Sequence, residues 1–393
     1  MNSNIEITIP EIKKKYSYVE KEENKVLVII EHEKKSIYLH CDKEILLIIN
    51  LIDGKNSIKD IRLELEKLGH ELSNEILNEI IFNKLKKLIS ADEEDNKYGY
   101  LFFKFTLINA NLAKKISSYF SFIFRNKSFV IVTFIIFIII SIYLSFFTKN
   151  SFDITSQNIY ILPLILLSTL FFHEIGHAAA CYTYGAKNGS IGFGFYLLTP
   201  VMYADVTDAW KLTKKERVLI DIAGLYMEGL LMCFLLLIYI ITKVEFFLYS
   251  SIIIVFNTFI NINPFLRFDG YWILSDITNT YNLRAISNNK LKDFISFKLK
   301  TIDRKDFFLI FYAFLSLLFL FWFLFFMTYY RFIDLVNFPK NIFLFIKGWV
   351  LNHKSNNIGF WQISLPLGFY LLIISKIKQL YFLVSNKINN EKI

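Results

Sequence analysis

Cysteine is scarce in this chain. Cys41, Cys181 and Cys233 are its three copies, and they make neither a C-x-x-C pair nor a disulfide framework. Cys181 sits four residues after the second histidine of the motif discussed below and reads as a small apolar packing residue. A secretory signal is also missing. The opening residues, MNSNIEITIPEIKKKYSYVEKEENK, are polar and charged, with no apolar stretch before a small-residue cleavage site. The N-terminus is therefore expected in the cytoplasm. The net charge of +9 does not indicate nucleic acid, because lysine and arginine gather beside apolar runs, as the positive-inside rule requires.

Apolar residues are abundant. The hydrophobic fraction is 54%, phenylalanine occurs 42 times and the mean hydropathy is +0.41. Those values are too apolar for an ordinary soluble protein, and runs of ~20 apolar residues predict a polytopic helical membrane protein. Six spans are expected, at 128–147, 158–182, 218–242, 246–265, 307–329 and 358–374. Basic residues between spans two and three (Lys187, Lys211, Lys214, Lys215, Arg217) and between spans four and five place both termini in the cytoplasm of a multi-pass protein. The 330–357 loop would lie outside despite four basic residues, and its 341–351 stretch is expected to dip into the interface.

Residues 1–95 read as a small soluble α+β module. KVLVII (25–30) and SIYLH (36–40) suggest a hairpin. Helical patterns follow at 42–52, 57–68 and 73–89, with Ser57 as a candidate N-cap and Asp60 three residues on. The expected fold is winged-helix-like. Residues 96–127 form an interfacial linker, with an apolar stretch at 100–108 too short to span. Residues 128–380 hold the transmembrane domain, and 381–393 a cytoplasmic tail. The module resembles the PqqD-like peptide-recognition domains of peptide-modification systems. Residues 46–68, LLIINLIDGKNSIKDIRLELEKL, carry that resemblance. It implies that a precursor leader binds as an added β-strand.

The chemistry lies in span two, NIYILPLILLSTLFFHEIGHAAACY. H-E-x-x-H on a helix puts His173 and His177 on one face, one turn apart, at a spacing that suits two ligands of a catalytic zinc. Glu174 stands beside them as candidate general base. Ionisable groups within a span cost ~3 kcal/mol each on insertion scales. Three in five residues call for a reason, and a metal supplies one. A structural histidine pair bonded to carbonyls is the alternative. His32, His40, His70 and His353 fit poorly as a third ligand, because they lie in the soluble module or a distal loop. Asp269, in NINPFLRFDGYW (261–272), is the better candidate. Pro264 must interrupt the preceding helix, and Gly270 permits an unusual backbone angle. An ordinary turn aspartate is the alternative there.

His173, Glu174 and His177, followed by Asn261, Pro264, Asp269 and Gly270, resemble the site-2 protease family of intramembrane zinc metalloproteases. Its signature pairs H-E-x-x-H on one span with N-x-x-P and a later D-G. The resemblance implies that Asp269 is the third zinc ligand and that Asn261 holds the substrate backbone. Asn263, directly before the proline, is a rival for that role. Many family members carry G-P-x-x-N on the span after the motif. Here Gly224-Leu225-Tyr226-Met227-Glu228 stands instead, so Glu228 takes the place of the substrate-facing amide. TPVMYADVTDAW (199–210), LRFDGYWILSD (266–276) and YNLR (281–284) are similar to the branch in which a PqqD-like module is fused to the protease core.

The expected reaction is hydrolysis of a peptide bond in a small ribosomally made peptide, for leader removal or export. A peptide-modifying enzyme or an exporter would be its working partner. Residues 191–203, IGFGFYLLTPVMY, are expected either to form a membrane-dipping hairpin whose edge pairs with substrate or to be a simple interfacial loop. Two other classes stay open: a regulatory protease that cuts a membrane-anchored regulator, and a non-catalytic transport or immunity component.

Overall fold

The computed structural model describes residues 9–12, 15–21, 25–30, 37–89, 102–126, 162–196, 199–299 and 301–351, and parts of 131–140 and 362–377. The chain is mainly α-helical and divides into two compact units. One comprises Met1–Gly99 with Val206–Thr213, and the other Tyr100–Asp205 with Lys214–Ile393.

The first unit contains an antiparallel sheet in the order β1 (Tyr16–Glu20), β2 (Lys25–Ile30), β3 (Ile37–Asp42). β2 is its centre. KVLVII has no alternation because Val26 to Ile30 are all buried. Helices α1 (Lys43–Leu51), α2 (Ile58–Lys67) and α3 (Asn74–Glu79) follow. Ser57 and Asp60 close a capping box on α2: Asp60 N–H donates to Ser57 Oγ at 3.3 Å, and Ser57 N–H donates to Asp60 Oδ2 at 2.9 Å. The Ser57 hydroxyl donates to Asp60 Oδ2 at 2.6 Å, and together with the Ser57 N–H it holds the Asp60 carboxyl below its ordinary value. Val26, Val28, Ile30, Ile49, Ile61, Leu65, Leu77 and Ile81 make one core.

Two details differ from the sequence reading. β1 adds a third strand to the expected hairpin; it is an edge strand whose residues are half-buried or exposed, so it leaves no hydrophobic pattern. The long helix expected over 73–89 breaks at a π turn, Ile80–Lys84, where Leu85 N–H bonds back to Ile80 O at 2.9 Å, and resumes as α4 (Lys86–Ile89). Replacing Ile61, fully buried in this core, with alanine is expected to cost about 2–5 kcal/mol. Thermal melting of the full chain in detergent, with protease cleavage within residues 1–99 as readout, checks this; an unchanged profile contradicts it.

The second unit begins with β4 (Phe102–Ile108) and α5 (Ala110–Phe120), capped by Asn109 Oδ1 on Leu112 N–H at 2.9 Å. Next come α6 (Leu162–Thr183), β5 (Ile191–Tyr196), β6 (Thr199–Ala204), α7 (Lys214–Thr242) and α8 (Glu245–Asn261). α9 (Asp269–Ile277), α10 (Leu283–Ile295), α11 (Arg304–Tyr329), α12 (Phe332–Val336) and α13 (Phe338–Leu351) complete it. β5 and β6 pair antiparallel, as a hairpin would, but in a three-stranded sheet: β4, from the apolar stretch expected to be part of an interfacial linker, pairs along β5.

α6, α7 and α11 are long and apolar enough to cross a membrane. The helices Glu245–Asn261 and Leu365–Ile374 are apolar but shorter. The expected span at 128–147 lies mostly outside the described residues, as do the start of 358–374 and the tail 381–393. The 330–357 stretch is helical through α12 and α13 as far as Leu351.

α7 packs against α6, α8 and α9. Its approach to α6 needs glycine, because a Cβ on Gly176 would strike the Ala223 carbonyl oxygen.

Candidate metal centre

His173, Glu174 and His177 sit on the buried part of α6. Each imidazole is aimed from behind by its Nδ1. His177 Nδ1 lies 2.7 Å from Ile220 O, a carbonyl that can only accept, so this Nδ1 carries the proton. His173 Nδ1 lies 3.0 Å from Glu228 Oε1 and donates to it. Both Nε2 atoms therefore present lone pairs, and they face each other at 3.0 Å.

Asp269 meets them from α9. Its Oδ2 is 2.9 Å from His173 Nε2, and its Oδ1 is 3.5 Å from His177 Nε2. It is the first residue of α9, delivered there by a sharp turn after α8. The helix α8 stops at Asn261 because Pro264 cannot supply an N–H to continue it. Asn263 Oδ1 accepts from Phe265 N–H at 2.8 Å within the turn. Tyr312 Oη donates to Pro264 O at 2.9 Å, and Arg284 Nη2 donates to Phe265 O. From the other side, Arg217 Nε donates to Asp276 Oδ1 at 2.8 Å and ties α9 to α7.

The role expected of Gly270 needs a correction. It is not among the positive-φ glycines, which among the described residues are Gly54, Gly69 and Gly185. Its necessity is steric, since a Cβ there would overlap the Ile262 carbonyl.

Three acceptor groups thus converge with no donor between them. Asp269 Oδ2 is buried without a hydrogen-bond partner. A single proton would bridge one pair of these atoms, whereas a cation meets all three. Ligand atoms on a tetrahedral zinc lie about 3.3–3.6 Å apart, close to the 2.9–3.5 Å found between these side chains. The donor set, two imidazoles and one carboxylate, suits zinc and leaves a position for water.

The remaining candidates are placed as follows. Glu174 accepts a hydrogen bond from the Ala204 backbone, at the end of β6. Asn261 turns its amide toward Glu228 Oε1 at 3.3 Å, and Asn263 stays in its own turn. Glu228 is fully buried behind His173.

Sequence reasoning passed over Gly224, whose Cβ would run into His177 Nε2 and come within 2.6 Å of His173 Nε2. It also passed over Asn257 and Thr258. A signal was available for these two, since side-by-side polar residues in an apolar run mark a polar partner. The Arg217–Asp276 pair gave none, being 59 residues apart.

Over 122 residues the chain is 28% identical to a Bacillus subtilis (strain 168) protein called "Putative peptide zinc metalloprotease protein YydH". The match covers 29% of this chain and 46% of that protein, so the chain spans about half the length of the curated relative it matches. No family model matches the chain, and no solved structure matches it.

Gly224→Ala is expected to remove metal binding, because its methyl group would occupy the space in front of both Nε2 atoms. Zinc per chain, measured by elemental analysis of the purified protein, should fall from about one to near zero. Wild-type zinc content in this variant would mean that the metal does not lie between those nitrogens.

Proposed function

We propose that the chain is a membrane-embedded zinc metallopeptidase of the site-2 protease type. The observation that carries this reading is the convergence of His173 Nε2, His177 Nε2 and the Asp269 carboxylate on one point, with Glu174 beside them. The similarity to a protein named as a peptide zinc metalloprotease supports it. When bound there, a zinc ion would supply Lewis acidity for acidifying water toward pKa ~7 and polarising a scissile carbonyl.

The protein's own groups do the rest. His173, His177 and Asp269 would hold the metal. Glu174 takes the proton from the attacking water and passes it to the leaving amine. Burial among apolar helices keeps bulk water from competing with these transfers. The substrate must be extended, because a helix hides its carbonyls in its own hydrogen bonds. Among the described residues, β6 is an outer strand of the β4-β5-β6 sheet, and its last residue bonds to Glu174. A peptide pairing along β6 would pass directly by the base.

The substrate class in this reading is a small ribosomally made peptide, matured or exported after recognition by the first unit. The leader would add to the β1-β2-β3 sheet. Asn261 and Asn263, which flank the turn before Asp269, remain proposed substrate contacts.

The test uses full-length protein in detergent micelles with a library of quenched fluorescent peptides. Glu174→Gln is expected to keep its zinc and lose at least about 100-fold in cleavage. Wild-type rates in that variant would sink the assignment of the base. Deleting residues 1–95 is expected to shift which peptides are cut; unchanged preference would favour a regulatory protease that reads its substrate within the membrane.

A further inference from the structure

Glu228 has more hydrogen-bonding partners than a substrate contact would need. It lies on α7, one turn beyond Gly224, and none of its surface is exposed. Its Oε1 faces His173 Nδ1 at 3.0 Å, Asn257 Nδ2 at 2.7 Å and Asn261 Nδ2 at 3.3 Å. Its Oε2 faces Thr258 Oγ1 at 2.8 Å. The Thr258 hydroxyl also lies 3.0 Å from Ile254 O. Three of these donors come from α8, at spacings that put them on one side of the helix.

Three donors meet at Oε1, while Oε2 meets a hydroxyl that can donate or accept. Oε1 is thereby fixed as the acceptor that faces His173 Nδ1, and the other ring nitrogen of His173 points into the ligand cluster.

We infer that Glu228 is a positioning residue of the metal centre. It accepts the Nδ1 proton of His173 and so fixes the lone pair on Nε2, aimed into the ligand cluster. Asn257, Thr258 and Asn261 hold its carboxylate in place. This inference rests on the zinc reading proposed above and assigns the outer support of that site, as metal-bound imidazoles generally require.

The experiment measures zinc dissociation by chelator competition on the detergent-purified full chain, and the melting temperature of the metal-free form. Glu228→Gln keeps the shape and exchanges the carboxyl group for an amide. It is expected to bind zinc about 10- to 100-fold more weakly, with the metal-free melting temperature preserved. Zinc affinity within twofold of wild type would overturn the role of Glu228 and leave the metal centre standing. A wild-type protein that binds no zinc would overturn both. If the variant fails to fold, nitrogen-15 histidine spectra of the zinc-loaded wild type decide. Protonated Nδ1 with metal-shifted Nε2 at His173 supports the inference, and the reverse overturns it.

Discussion

The site depends on how closely α6 and α7 pack. Gly176 lets the Ala223 backbone approach, and Gly224 leaves room in front of the two imidazoles. That approach brings Ile220 O to His177 Nδ1 at 2.7 Å and Glu228 to His173 Nδ1 at 3.0 Å. Two hydrogen bonds made behind the rings decide which nitrogens look forward. Without them the imidazoles would rotate and the lone pairs would not converge. The candidate metal site is thus a consequence of helix packing, with both imidazoles held from the back.

Asp269 completes the arrangement from a less regular part of the chain. A proline ends α8, a glycine allows the fold-back onto Ile262, and α9 begins with Asp269 itself. Tyr312, Arg284 and Arg217 then hold this turn from α11, α10 and α7. A carboxylate in a loop would be too mobile to define a ligand position. Here three side chains from three helices restrain the turn and the helix it opens.

Much of this was legible in the residues. Motif spacing pointed to His173, Glu174, His177 and Asp269, because ligand chemistry leaves a local trace. Ser57 and Asp60 declared a helix start, since capping is also local. The β1 strand did not declare itself, because an exposed edge carries no periodic apolar pattern. The sheet partner of β5 was equally hidden: β4 lies about 85 residues earlier, and pairing over such a distance has no short-range signature. Gly270 was recognised for the wrong physical reason, conformational freedom in place of close approach. The surroundings of Glu228 required three dimensions, because Asn257, Thr258 and Asn261 reach it from another helix.

X-ray absorption at the zinc edge tests the central claim most directly. The account predicts only light scatterers at about 2.0–2.2 Å, two of them imidazoles, with one carboxylate oxygen and water completing a tetrahedral shell. A sulfur scatterer near 2.3 Å, or a shell with a single imidazole, would contradict it.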